Sequence, residues 1–244
     1  MGKHNIMGTI ILRTASGHVI YKSNRTHHRA AVEDAVMDGV SLHHADLSGL
    51  DLSHGDFDGG NFRHVNFDGS NMTGTNLSEC RMTGASFKNV ALHGACMAQS
   101  HLIDCDFSGV LFGGTDIFGT VIRGCRFDTQ SALELHFHDC DIFEKNMFVD
   151  VSGLPCPINR PPVTILGGPS IMAITTTHVI MGNKAMTIAE WMRANTMIEK
   201  SPSHGLALAH LRLMRGADTQ PPATDVAPPG IGAAPSMMGT NNFP

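Results

Sequence analysis

The chain has 244 residues, with 17 basic and 22 acidic side chains and a formal net charge of −5 at pH 7. This acidic balance argues against a general nucleic-acid binder or a protein held on a membrane surface by charge. Its six cysteines show no paired spacing, which indicates reduced thiols inside a cell rather than a disulfide framework. The best apolar stretch near the start, Ile6 to Leu12, is too short for a signal peptide or a membrane span.

Residues 1–39 predict a hairpin followed by a short helix. The stretch GTIILRTASGHVIYKS, residues 8–23, is typical of two strands that turn near Ser16-Gly17. The following THHRAAVEDAVMDG predicts a helix with Thr26 as its N-cap and Gly39 as its stop. Because stacked repeats leave open ends, we expect these elements to cap the segment that follows.

From Leu42 onward, every fifth residue is apolar through Met147, which gives 22 consecutive positions. The residue two places before each of these centres is nearly always small, and the other three positions are mostly polar. One large and one small residue therefore point inward while three polar residues point outward. This pattern predicts a square coil with one pentapeptide per side and four per turn, and the register is expected to run unbroken from residue 40 to residue 149.

The pattern resembles the pentapeptide-repeat family, whose units read roughly Ala-Asp/Asn-Leu/Phe-x-x. The matching units are ADLSG at 45–49, GDFDG at 55–59, VNFDG at 65–69, TNLSE at 75–79 and CDFSG at 105–109. The resemblance implies an all-β solenoid over residues 40–149, a right-handed quadrilateral β-helix with coils about 4.8 Å apart. One face should carry an aromatic ladder that includes Phe67, Phe87, Phe107 and Phe127.

Residues 150–216 predict a small C-terminal α+β domain. The stretch IMAITTTHVIMG, residues 171–182, favours one strand or a tight pair. Thr187 and Glu190 have capping-box spacing at the start of a helix that places Ile188, Trp191, Met192 and Ile198 near one face. A second helix is predicted at residues 205–216, and residues 217–244 form a Pro/Gly-rich tail that could reach a neighbouring molecule. The Thr-Ile-Ala-Glu-Trp segment resembles phage- and prophage-encoded pentapeptide proteins.

Candidate chemistry is sparse. The pairs His44/His64 and His136/His138 could each supply two metal ligands, but neither pair has a third ligand in a matching position, so no metal is expected. Cysteines at the small inward position are predicted to be packing groups: Cys80, Cys105, Cys125 and Cys140. The sequence lacks a Gly-Lys-Ser/Thr phosphate loop, a Gly-x-Ser-x-Gly elbow and an HExxH motif. We therefore expect neither an enzyme nor a cofactor.

Apolar residues at outward positions predict an interaction surface in the C-terminal coils. They are Ile103, Leu111, Phe118, Val121, Phe143 and Phe148. They could be covered by residues 163–215 of the same chain, by a partner protein or by a sister subunit.

The excess of acidic residues in the repeat segment favours an alternative function, in which the protein imitates DNA. Residues 40–149 hold 14 acidic and 6 basic side chains, and the family resemblance implies that such rods can imitate DNA and inhibit type II topoisomerases. The candidate mimic surface is Asp46, Asp56, Asp106 and Asp116. However, Asn66 and Ser86 interrupt the column between Asp46 and Asp106, whereas duplex DNA offers closely spaced phosphates.

The sequence thus predicts a non-enzymatic structural or protein-interaction module. The resemblance implies a phage or prophage protein with a virion or assembly role, located in the virion or the bacterial host cytoplasm. Its expected partners are proteins, either sister copies in a homo-oligomer or assembly neighbours, reached through the C-terminal domain and tail. Direct binding of nucleic acid or membrane is not expected.

Overall fold

The computed structural model describes residues 9–165 and 172–194. It begins with strands β1 (Ile10–Arg13) and β2 (Val19–Ser23), which pair in an antiparallel hairpin. The hairpin turns at Gly17, whose φ is +88° and whose N–H donates to the Thr14 carbonyl at 2.8 Å. The turn therefore lies where the sequence predicts it.

Helix α1 (His28–Met37) follows the hairpin. The predicted N-cap Thr26 is wrong: His27 occupies that position, with extended backbone and no side-chain capping bond. The predicted stop at Gly39 is confirmed, because this residue has a φ of +67° and its N–H closes the last turn on the Val36 carbonyl.

The hairpin and the helix pack on the start of the solenoid. Thr14 forms an antiparallel bridge with Ala45, and the Asp46 N–H donates to the Arg13 carbonyl at 2.8 Å. From α1, Ala31, Val32 and Ala35 are fully buried in the same apolar core as the first coil.

The repeat segment folds as a β-solenoid whose successive coils are twenty residues apart. Asp46 bridges Asn66 in parallel, Asn66 bridges Ser86, and Ser86 bridges Asp106. We number four faces by their inward centres: face 1 (Leu42, Phe62, Met82, Leu102, Ile122), face 2 (Leu47, Phe67, Phe87, Phe107, Phe127), face 3 (Leu52, Met72, Leu92, Phe112) and face 4 (Phe57, Leu77, Met97, Ile117, Phe137). All of these centres are at most 3% exposed.

The predicted aromatic ladder is confirmed on face 2. The rings of Phe67, Phe87, Phe107 and Phe127 stack in sequence, with centroids 4.9, 4.9 and 5.1 Å apart. Burying each centre contributes roughly 1.5–3 kcal/mol, so the stacked coils have a continuous hydrophobic core.

The backbone explains the five-residue period more directly than the core does. Every fifth residue from Gly39 to Gly124 has a positive φ, near +55° to +75°. Most of these positions are glycine, and the others are His44, His54, His64, Glu79, Asn89, Gln99 and Asp104. A left-handed residue at each corner turns the chain onto the next face, and glycine adopts that conformation without strain.

The register changes once, and the prediction of an unbroken register is wrong there. After Phe127 the chain forms the short helix α2 (Ser131–Glu134) and a 3-10 turn at Phe137–Asp139. Ile122 then pairs with Phe143 and Phe127 with Phe148, so this coil has 21 residues. The extra residue moves Ile142 and Met147 out of the core and places Phe143 and Phe148 inside it.

Regular strands form on faces 1 and 2. Face 1 holds a parallel sheet of β3 (Arg81–Thr83), β4 (His101–Ile103), β6 (Val121–Arg123) and β8 (Ile142–Glu144). Face 2 holds β5 (Asp106–Phe107), β7 (Arg126–Asp128) and β9 (Asn146–Val149), followed by the antiparallel strand β10 (Pro155–Ile158). Because Pro155 and Pro157 have no N–H, this last strand offers few donors to any further strand.

The described C-terminal part is an antiparallel sheet with one helix. Its strands are β11 (Val163–Ile165), β12 (Met172–Ile174), β13 (His178–Met181) and β14 (Lys184–Thr187). Strands β12 and β13 form a tight pair, which is one of the two arrangements that the sequence allowed. No helix among the described residues is long and apolar enough to cross a membrane.

Helix α3 (Ile188–Ala194) begins with the predicted capping box. The Glu190 N–H donates to Thr187 Oγ1 at 3.2 Å, and the Thr187 N–H donates to Glu190 Oε2 at 2.9 Å. Trp191 is buried, whereas Met192 is 36% exposed and does not share its apolar face. The predicted contact of Ile198, the helix at 205–216 and the tail lie outside the described residues.

Candidate interaction surfaces

The small inward positions hold hydrogen-bond donors as well as packing groups. Hydroxyls and thiols there donate to the carbonyl of the centre residue 23 positions earlier, as Ser100 Oγ does to Leu77 at 2.6 Å. The same bond is made from Thr75 to Leu52, Cys80 to Phe57, Cys105 to Met82, Thr120 to Met97, and Cys125 to Leu102, at 2.9–3.3 Å. These side chains satisfy buried carbonyls, a role that the sequence prediction of inert packing missed.

Burial raises the pKa of two of these thiols. It raises the pKa of Cys80 to about 12, and it raises the pKa of Cys125 well above its usual value, helped by the neighbouring Cys105. Since the thiolate is the nucleophile, neither cysteine is suited to covalent catalysis. Cys140, which was predicted inward, is only half-buried because it lies at the register change.

Two buried serines provide a matched test of this role. Ser100 Oγ donates to Leu77 and also accepts the Cys80 N–H at 3.0 Å, so Ser100→Ala leaves two buried groups without partners. Ser70 Oγ is equally buried but has no hydrogen-bond partner. We expect Ser100→Ala to lower the free energy of unfolding by about 2–4 kcal/mol, and Ser70→Ala to leave it unchanged or raise it. Urea titration of both variants measures this, and equal losses would contradict it.

The six residues of the predicted apolar surface differ in exposure in the structure. Phe143 and Phe148 were predicted to face outward, and this is wrong, because the 21-residue coil turns them into the core at 7% and 0% exposure. Leu111 and Phe118 are 51% and 63% exposed. Ile103 and Val121 are half-buried on face 1.

One group of these residues lies together. Phe118 ends face 4 and Val121 begins face 1, with Gly119 and Thr120 between them in the chain. The exposed carboxylate of Asp141 from the next coil also lies at this corner, 4.0 Å from the point where a Gly119 Cβ would be. Val121 pairs in register with Ile142, which is 38% exposed. We call Phe118, Val121 and Ile142 the apolar corner. Leu111 lies apart from it on face 3, where it bridges Ala91.

The four aspartates of the candidate mimic surface are outward-facing, but each serves the coil. Asp46 Oδ1 accepts the Ser48 hydroxyl at 2.7 Å and the Asn66 amide, one coil on, at 3.1 Å. Asp56 accepts the Asn76 amide at 2.8 Å, and Asp116 accepts the Phe118 N–H at 2.9 Å. Asp106 accepts from Ser108 and pairs with Lys88 Nζ at 3.5 Å. These hydrogen bonds stabilise turns within a coil and connect neighbouring coils.

The spacing of these carboxylates differs from that of DNA. Asp46 and Asp106 share face 2 but are three coils apart, about 14 Å at the spacing of stacked strands. Duplex DNA carries one charge per about 1.7 Å of axis when both strands are counted. The interruption predicted from the sequence is therefore present in the fold.

Face 1 differs from the other three faces in charge. Between Ser41 and Ile103 its outward and corner positions carry no carboxylate before Asp104, and they hold His43, His44, Arg63, His64, Arg81 and His101. Arg63 and Arg81 are exposed and form no ion pair with any residue in the described parts of the chain. The first three coils of face 1 are therefore basic within an acidic solenoid, and we call them the basic face. Asp104, Asp141 and Glu144 lie on the later coils of the same side.

Three histidine rings cluster at the start of this face. The ring centroids of His44 and His64 are 5.1 Å apart and stacked, as their shared column predicts, and His43 lies 3.9 Å from His44. Partial desolvation, together with the neighbouring His43 and His64, lowers the pKa of His44. Within residues 9–165 and 172–194, no group of three or more His, Cys, Asp or Glu side chains could hold a metal ion.

Comparison with known proteins agrees with the coil geometry. Residues 28–63, 45–84 and 61–99 match the family model for pentapeptide repeats, which is present in eight copies. The chain therefore contains a pentapeptide-repeat region, and the fold is a β-solenoid of such repeats. No curated protein matches the chain.

Solved structures of pentapeptide-repeat proteins resemble parts of the chain. A protein from the cyanobacterium Cyanothece is 23% identical over 36% of this chain and 56% of its own, with a TM-score of 0.31. One from the Arabidopsis thaliana thylakoid lumen is 24% identical over 43% and 68%, with a TM-score of 0.33. QnrB1, a plasmid-mediated fluoroquinolone resistance protein, is 18% identical over 45% and 75%, with a TM-score of 0.15. The chain spans little more than half of the Cyanothece protein, and TM-scores this low carry no argument about function.

Proposed function

We propose that this protein is a non-enzymatic structural or protein-interaction module that binds a protein surface through its apolar corner. The observation that supports this most is the exposure of Phe118, which is 63% accessible beside Val121 and Ile142. Grouped apolar side chains on a rigid surface are typical of an interface.

Coverage by the chain's own C-terminal part was the competing interpretation. The described residues of that part, 163–165 and 172–194, leave Phe118 and Ile142 exposed. We propose a partner or a second copy as the occupant. Leu111 and Ile103, which the sequence also assigned to the interaction surface, lie outside this corner and are not part of the proposed site.

Replacing Phe118 tests the proposal. We expect Phe118→Ser to lower the solution mass of the full chain in light scattering, because it removes the largest exposed apolar group of the interface. Leu111→Ser, on another face, is the matched control and should leave the mass unchanged. A chain ending at Gly216 tests the tail as a further contact. Equal masses for the parent chain and Phe118→Ser would overturn the corner as the site.

A virion or assembly role, with localisation in the virion or the bacterial host cytoplasm, is the finer part of this proposal. It is supported by the sequence resemblance to phage-type proteins and by the tail. Mass spectrometry of purified particles from a producing host tests it, and absence of the protein from the particles would place its role in the infected cell.

Inhibition of a type II topoisomerase through DNA mimicry is the second candidate. The excess of acidic residues between 40 and 149 and the outward position of Asp46, Asp56 and Asp116 favour it. The basic face and the carboxylate spacing count against it. In a supercoiling assay a mimic would inhibit, and neutralising Asp46, Asp56, Asp106 and Asp116 together would abolish that inhibition.

A further inference from the structure

We propose that four copies of this chain assemble side by side as a parallel bundle with fourfold symmetry, each placing face 1 against face 4 of the next copy. The inference rests on the proposed function and names the partner of the apolar corner as further copies of the same chain. Three independent features of the solenoid lead to it: charge, angle and height.

The exposed charges on face 1 and face 4 are opposite in sign. Face 1 presents Arg63 and Arg81 without carboxylate partners among the described residues. Face 4 presents only acidic charges through its first four coils: Asp56, Asp58, Glu79 and Asp116. All four of these carboxylate residues are exposed. Opposite charges on two faces of one molecule favour contact between copies and set its orientation.

The angle between the faces sets the number of copies. Faces 4 and 1 are neighbours on a four-sided coil, so they meet at about a right angle. Packing face 1 of one copy against face 4 of the next turns each copy by that angle, and the ring closes after four. A repeated head-to-tail contact forms a closed ring whenever its rotation closes, as it does here.

The residues that would meet across the contact lie at similar heights along the solenoid axis. Copies related by a rotation axis lie at the same height, and the chain climbs about 4.8 Å per twenty residues. Asp56 and Arg63 lie on the outer halves of their faces and are seven positions apart, so their heights differ by only about 2 Å. Glu79 and Arg81 differ by two positions and Phe118 and Val121 by three, so these pairs also lie level across the contact.

The apolar corner then lies at the centre. In a square bundle the two contacting faces of each copy meet at its innermost edge, which is the corner between Phe118 and Val121. Four copies of Phe118 would surround the axis and cover one another. A twofold dimer through face 1 would instead bring Arg63 and Arg81 of both copies together, which like charges disfavour.

Charge reversal tests the arrangement. Light scattering of the full chain at low salt should give four times the chain mass of 26.1 kDa, falling at high salt. The variants R63E/R81E and D56R/E79R should each require at least about tenfold higher concentration to assemble. An equimolar mixture should regain the tetramer, because copies alternating around the ring again oppose unlike charges. Circular dichroism and urea midpoints confirm that both variants fold.

Several results would overturn the bundle. These are a parent chain that is monomeric or dimeric at every concentration, a tetramer indifferent to R63E/R81E, or reversed variants that fail to rescue each other. If Phe118→Ser lowers the mass while the charge variants do not, the proposed function stands and this arrangement fails. If neither change affects the mass, both fail.

Discussion

Replacing Asn146 by alanine is expected to lower the free energy of unfolding by about 3–5 kcal/mol. The side chain is 1% exposed and joins two coils. Its Nδ2 donates to the Ile122 carbonyl at 3.1 Å, and its Oδ1 accepts the Cys125 N–H at 2.8 Å. Alanine would leave both buried groups without partners and open a cavity. Urea denaturation followed by circular dichroism measures the loss.

Two further variants separate this role from loss of packing. Asn146→Ser should recover part of the stability, because Ser100 makes the same two bonds at the equivalent place, to Leu77 and Cys80. Asn71→Ala is the matched control: this asparagine is exposed and links Asp51 to the next coil at 3.3 Å. It should cost no more than about 1 kcal/mol. Equal losses for Asn146→Ala and Asn71→Ala would contradict the buried bridge.

Gly60→Ala is expected to cost about 2–3 kcal/mol through overpacking. A Cβ at this buried position would overlap Phe62 Cε2, lie 2.7 Å from its Cζ and lie 2.9 Å from the Phe57 carbonyl oxygen. The ring of Phe62 therefore requires glycine two residues before it. The urea midpoint of the variant measures the cost.

The neighbouring glycine provides the comparison. Gly59 has open space around it but a φ of +67°, so Gly59→Ala should cost about 1 kcal/mol through backbone strain alone. Adding Phe62→Leu should relieve the Gly60→Ala defect and leave the Gly59→Ala cost unchanged. Additive losses for Gly60→Ala and Phe62→Leu would show that the ring is not the cause.

The solenoid could be predicted because its signal repeats. Each pentapeptide carries the same inward pair, so single departures such as Gly55 or Val65 do not obscure the period. The tight strand pair and the Thr187–Glu190 capping box were also predictable, since both depend on residues close in the chain.

The register change could not be predicted from the period alone. Phe137 still fits the repeat, and Ile142 and Met147 are apolar, so the sequence permits both registers. The signal that could have found the change is Asn146, which takes the small inward place only if Phe148 is the centre. Missing it placed Phe143 and Phe148 on the surface, and both are core residues.

The basic face could not be recognised from the sequence alone, because it depends on how the coils stack. Arg63 and Arg81 are eighteen residues apart and lie among acidic neighbours in the sequence. Only the coil brings them to one face and sends those neighbours to the others. The same holds for Val121 and Ile142, whose pairing depends on the 21-residue coil.

Cross-linking at the apolar corner tests the central claim most directly. With cysteine introduced by Phe118→Cys, mild oxidation of the full chain should give disulfide-linked dimers, because four copies of this position surround one axis. Leu111→Cys is also exposed but lies on face 3, outside the proposed contact, and should stay monomeric on a non-reducing gel. Cross-linking of Leu111→Cys to the same extent, or none with Phe118→Cys, would contradict the account.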